Sequence, residues 1–292
     1  MAQLFGFVQF ELPGSTGVPD GRYLSRTGGE RELQRVLVVE SLAAPAPPGR
    51  RRRRQPAQVE PDELQAVPLT RATAILAYSP FDTEPEAIAW LDGVAASDEL
   101  LEALLREGTW LLNSAIHAGA TARADPHFAE VDAERALRLR IGIGSGEEVA
   151  AGRFTQAREV DLSGSRRSRR RRREEELQPQ ERLAAVLGAR ERVDLCETLL
   201  LRARADLDAG RMREAAMQLQ QGLAALLLEL PGALRDPGHE EDMVALESRK
   251  DEASAAAEAA LRGELDPGAE RSVRELTALC ERVLRRRRVL RG

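Results

Sequence analysis

Aromatic residues are scarce in this chain, only 3% of its 292 residues. A core with so few rings has to be filled by Leu, Ala and Val, which favours helix-on-helix packing. Lysine is almost absent: Lys250 stands alone among 43 basic residues. Arginine in place of lysine, with heavy Ala, Gly and Leu usage, is the composition a GC-rich bacterial genome imposes, so arginine by itself carries little functional meaning. The two cysteines, Cys196 and Cys280, cannot complete a zinc site alone. Both fall at apolar positions of helical patterns, as buried thiols of a reducing compartment do. No apolar run reaches the roughly 18 residues that span a bilayer, and no basic stretch precedes an apolar one near Met1, which argues against a signal peptide. These absences point to a cytoplasmic chain without a membrane segment. The net charge of −5 is not that of a generic nucleic-acid binder.

What is present falls into two patterns. Residues 3–12, 33–42 and 67–78 are strand-length runs rich in branched and aromatic side chains, separated by Gly, Pro and Asp turn chemistry, with a short strand around 22–25. In the first run Leu4, Val8, Phe10 and Leu12 share one face, and Gln9 and Glu11 point to a solvated one. Leu137, Leu139, Ile141 and Ile143 alternate with Arg138, Arg140, Gly142 and Gly144, the mark of a half-buried strand. A last strand near 153–162 pairs back after the turn Gly144-Ser145-Gly146. Pro85 opens a short helix through Leu91. A long helix follows over about 98–121, capped by Ser97 or Asp98, with Leu104, Leu111, Leu112 and Ile116 at helical spacing. Residues 1–162 therefore read as an α+β domain, an antiparallel or mixed sheet with about two helices. The Pro- and Arg-rich stretch 43–62 interrupts it as a disordered insertion.

Residues 163–176 form an Arg/Glu-rich linker, and 177–292 read as an all-α bundle of about four long helices. The helical stretches are 178–208, 211–230, 239–262 and 267–290, divided by Gly and Asp-Pro stop and start signals. The first carries a stripe through Leu183, Val186, Val193, Cys196 and Leu200. Val273, Leu276, Cys280, Val283 and Leu290 step by three and four, a heptad-like coiled-coil seam. His239, alone near a helix start, is expected in solvent. The segment Asp208-Ala209-Gly210-Arg211-Met212 resembles the turn of a tetratricopeptide helical hairpin, without a second copy at the period of a repeat array.

The segment from Leu139 to Gly152 resembles a stretch of class III nucleotide cyclases. The metal-binding aspartates that such a resemblance implies have no match upstream. As a phosphate cradle the glycine turn is weak, since such loops open a helix and a strand is expected here. Trp110, Asn113 and His117 lie at helical spacing, and with Gly144 and Gly146 they are the candidate lining of a polar pocket in the sheet domain, His117 being the group that titrates near neutrality. Local positive charge holds phosphates, which makes Arg50, Arg51, Arg52, Arg53, Arg54, Arg169, Arg170 and Arg171 candidate contacts. No aromatic side chains interleave with them to stack bases, and Glu174 to Glu176 sit beside the second tract. No catalytic set, metal site or cofactor is expected. The leading expectation is a non-catalytic interaction or scaffold protein with a protein partner, self-association through the C-terminal helices included. A nucleic-acid-associated protein comes second, and a small-molecule binder or enzyme using the N-terminal domain third.

Overall fold

The computed structural model describes residues 3–26, 34–42, 68–160, 182–230, 236–263 and 265–291. The expected insertion at 43–62, the linker at 163–176 and both arginine tracts lie outside these residues. The chain divides into two compact units, Met1–Ser165 and Arg166–Gly292.

The first unit is a six-stranded antiparallel sheet in the order β2-β3-β4-β1-β5-β6. Its strands are β1 (Leu4–Pro13), β2 (Gly21–Ser25), β3 (Arg35–Leu42), β4 (Leu69–Leu76), β5 (Arg138–Ser145) and β6 (Gln156–Glu159). β1 is central, with Val8 opposite Ala74 on β4 and opposite Ile141 on β5. A one-residue slip would turn every inward side chain of β1 outward, so the alternation fixes this register. Two helices cover one face, α1 (Glu84–Ala96) and α2 (Asp98–Arg123). Thr83 caps α1 by accepting from the Glu86 N–H, and Ser97 caps α2 by accepting from the Leu100 N–H at 3.3 Å. Val8, Phe10, Leu37, Leu112, Ile116 and Ile141 form the centre of the core between helices and sheet. Full burial of a side chain such as Phe10 contributes about 1.5–3 kcal/mol. α2 comes closest at Gly108, where any Cβ would run into Val8 and Phe10.

The opposite sheet face is not the solvated surface that the first strand's polar residues suggest. Phe7, Gln9 and Glu11 are all buried there. Gln9 donates from Nε2 to Thr73 Oγ1 at 2.9 Å and accepts from Arg140 Nη1 at 3.1 Å. Glu11 accepts from Arg140 Nη1 at 3.1 Å and Arg71 Nη2 at 3.2 Å, with Arg138 Nη1 at 3.8 Å. The arginines of β4 and β5 bend over the carboxylate and shield it from water. Burial raises the Glu11 carboxyl, but hydrogen bonds and charge from Arg71 and Arg140 outweigh it and hold the group below its ordinary value.

The second unit contains helical residues 182–187 (α4) and helices α5 (Leu195–Asp208), α6 (Met212–Glu229), α7 (Pro237–Ser248), α8 (Lys250–Arg262) and α9 (Pro267–Arg291); α3 is a short helix in the sheet unit (Gly146–Ala150). Two of the four expected long helices are divided. The first breaks because Ala189 takes a left-handed φ of 54°, and the Arg190 N–H returns to the Ala185 carbonyl at 2.8 Å, closing α4 before α5 begins. Leu183 and Val193, placed by their spacing on the inner stripe, are consequently exposed. The third breaks at Arg249, whose guanidinium grips Glu252 and reaches Glu275 of α9. α5 and α6 form the expected hairpin, with Gly210 at φ 73° in the turn. Val273, Leu276, Cys280 and Val283 are fully buried along α9, and α8 packs through Ala253, Ala256, Ala257 and Ala260. His239 is 2% exposed rather than solvated, and neither ring nitrogen has a hydrogen-bond partner among the described residues.

Candidate functional site

The residues grouped by sequence as one pocket separate onto two faces of the sheet. Trp110 packs on the helix-covered side. Its ring, with that of Tyr78, sandwiches the Arg35 guanidinium, whose carbon lies 5.3 Å and 5.2 Å from the two ring centres. Glu107 ion-pairs with Arg35 and accepts from the Tyr78 hydroxyl at 3.2 Å. Burial first, and then the Glu107 charge, pushes the Tyr78 hydroxyl above its ordinary value. Asn113 is a structural clamp: its side chain donates to the Val131 carbonyl at 2.9 Å and accepts from the Val131 N–H at 2.8 Å. His117 stands edge-on to Phe128, with centroids 5.5 Å apart.

Gly144 belongs to the other face. It opposes Phe5 on β1, and a Cβ there would meet Val149 at 2.8 Å. Two residues earlier, a Cβ on Gly142 would enter the Phe7 ring at 2.6 Å. Gly142 thus makes room for the Phe7 ring, and Gly144 for the Val149 side chain. Gly146 opens α3, where a helix follows instead of the expected strand. Ser145 and Glu148 form a reciprocal cap, each side chain bonded to the other's backbone N–H at 3.3 Å. The Glu148 carboxylate thus occupies a donor that a phosphate loop would leave open. The eight candidate arginines of the two tracts lie outside the described residues.

One group of exposed apolar side chains was not singled out by spacing. It lies where α4, the start of α5 and the end of α6 meet. The Glu229 carboxylate, at the end of α6, accepts from the Leu195 N–H at 3.1 Å and the Cys196 N–H at 3.0 Å, capping α5 from another helix. Arg182 of α4 donates to Glu191 at 2.8 Å and to Glu197 at 2.5 Å, tying α4 to α5. The Glu197 hydrogen bond raises the Arg182 guanidinium further, so this tie is charged at any working pH. Asp194, the residue before α5, pairs with the buried Arg287 of α9. Around this framework Leu183, Leu187, Val193, Leu195 and Leu228 are 58%, 79%, 52%, 57% and 80% exposed. The bonds that fix this framework are unreadable from helical spacing.

Cys196 sits in the same first turn, but burial, and then Glu229 beside it, push its thiol up to about 12. Cys280 is also pushed to about 12 by burial. Both are free. The pairs Arg287–Asp194 and Arg204–Glu281 run α9 antiparallel to α5. Neither cysteine is a thiolate nucleophile.

Among the described residues, no group of three or more His, Cys, Asp or Glu side chains is placed to hold a metal ion, and no helix is long and apolar enough to cross a membrane. No protein-family model matches the chain, and no curated protein or solved structure is significantly similar to it.

Proposed function

We propose that the chain is a non-catalytic interaction protein whose helical unit docks a protein partner at the junction of α4, α5 and α6. The observation that carries this reading is the set of five exposed apolar side chains on a framework fixed by Arg182 and Glu229. Single exposed leucines are ordinary, and Leu201 or Leu261 need no explanation. Several on segments bonded to one another are different, because gathered apolar exposure is what a contact site requires. The hydrogen bonds beneath it keep the backbone in place before a partner arrives, which lowers the ordering cost of association.

The test compares the full chain with the double variant L187D/L228D as bait, followed by reconstitution from purified components. The expected result is a protein held by the wild type, lost by the variant, and bound again when purified. Identical retention by both baits, or none above an uncoated control, would contradict the reading.

A further inference from the structure

Helix α7 is held in the helical unit by less apolar contact than α6. It buries only His239, Asp242 and Leu246, whereas α6 buries seven residues, Leu219, Leu223 and Leu226 among them. Those three share one face of a helix that packs on α9 and touches α6 and α8. Asp242 is gripped by α9: Arg282 donates to it from Nη2 at 2.9 Å and Arg286 from Nη1 at 3.1 Å. The two arginine side chains are 56% and 39% exposed, so water screens these pairs and they hold weakly. His239 is seated differently. Its ring is buried, neither nitrogen has a partner among the described residues, and the Arg286 guanidinium lies against the adjoining Gly238. The carboxylates of α7 and its neighbours are already engaged. Asp236 accepts from the His239 backbone N–H at 2.9 Å, and both oxygens of Asp242 receive arginine. On the helices packed against α7, Arg287 of α9 holds Asp194, Glu229 of α6 caps α5, and Arg249 holds Glu252 of α8.

From this geometry we infer that α7 is a strap released by protons: protonation of His239 detaches α7 from α9 while α5 and α6 stay folded. A neutral imidazole occupies such a seat at the cost of its own unmade hydrogen bonds. The added proton brings a charge and a second donor, and each carboxylate named above is already engaged. In water the charged ring is hydrated, so proton uptake favours the detached helix. Leu246 and the screened Asp242 pairs are what oppose release. Histidine is the side chain whose charge ordinarily changes between pH 5 and 8. His239 is the only histidine of the helical unit, since His117 and His127 belong to the sheet unit. Glu252 responds below 4.5, outside that range. Release bares the α9 face that carries Arg282 and Arg286, so that face becomes accessible only in mild acid.

The test is amide hydrogen exchange on the full chain at about pH 7.5 and about pH 5.5, either side of the ordinary histidine value of about 6.5. Exposure times are scaled for the intrinsic chemical rate. Residues 237–248 should exchange about tenfold faster at the lower pH, because a histidine in water is then about ten parts charged to one neutral. α5 and α6 should keep their rates. H239L fills the seat and takes no proton, so its α7 should exchange at one rate at both pH values. H239Q serves the same purpose if H239L loses helical circular dichroism near neutrality. D242N, which weakens the arginine pairs, should exchange faster at both pH values and keep the pH response. Equal wild-type rates in 237–248 at the two pH values would overturn the inference, as would a pH response that survives in H239L and H239Q. Loss of the response in D242N would assign the proton to Asp242 and overturn it too. So would a loosening shared equally by α5, α6 and α7, since the unit would then open as one body.

Discussion

The two units bury side chains by different rules, and their sequences are legible to different degrees. In the sheet unit each strand has its backbone paired across a ladder, so alternation and register reinforce one another. Each of the six strands overlaps a run that alternation and turn chemistry mark out, with ends that differ by about one residue. In the helical unit an apolar stripe at helical spacing runs in phase straight through places where the helix stops. The stops fall at a left-handed Ala189 and at Arg249, whose guanidinium is paired with Glu252 and Glu275. Periodicity records which side chains would share a face; it does not record where the backbone gives way.

The largest expected effect separates the units most sharply. Leu276, fully buried on α9, should cost about 2–5 kcal/mol when replaced by Ala. Both tryptophans, Trp90 and Trp110, belong to the sheet unit. Helical circular dichroism should therefore melt earlier in L276A while the tryptophan fluorescence transition stays in place. A matching shift in both signals would make the units one cooperative body.

Glu11 tests the sheet unit in turn. E11Q preserves volume but removes the charge that Arg71 and Arg140 share, at a cost of about 1–3 kcal/mol in the fluorescence transition. Glu11 is held below its ordinary value when folded. Its contribution is therefore complete above the ordinary value of 4.5 and disappears as the pH falls through the folded one. Wild type should lose fluorescence-monitored stability on acidification through that window, and E11Q should lose less.

The helical unit carries a smaller version of the same effect. Glu252, beside Arg249 and Ser272, is lowered from 4.5 to about 2. Its contribution is present above 4.5 and fades between 4.5 and about 2. The pair is well exposed, so E252Q should change stability by less than about 1 kcal/mol. A larger loss in helical circular dichroism would mean that Arg249 governs the α7–α8 break more strongly than a surface pair does. Smallest of all is the thiol signal: Cys196 and Cys280 should label with iodoacetamide at pH 8 only as fast as the unit unfolds, because both thiols lie near 12. Rapid labelling of the native chain would place a thiol at the surface.

Element type was readable where each residue's fate depends on near neighbours. The Ser97 cap, the Pro85 helix start and the α5–α6 turn at Gly210 are all local. The helix α3 was readable too, since Ser145 and Glu148 stand at capping-box spacing, but the surrounding glycines suggested a strand-to-strand turn. The interior of the second sheet face was not readable. Gln9 and Glu11 look like solvent positions until Arg71 and Arg140, far along the chain, close over them. The separation of Trp110 from Gly144 was unreadable for a related reason, because helical spacing puts Trp110, Asn113 and His117 together without saying which face of the sheet Gly144 occupies. The α4–α5–α6 junction proposed for docking depends on Arg182–Glu197 and Leu195–Glu229, and neither pair has a sequence signature.

The most direct measurement is amide hydrogen exchange on the full chain with and without the purified protein that wild type retains and L187D/L228D does not. Protection is expected in 182–195 and at the end of α6 around Leu228, with the sheet unit unchanged and the effect absent in L187D/L228D. Protection confined to the sheet unit, or spread evenly over both units, would contradict an interaction surface at the α4–α5–α6 junction.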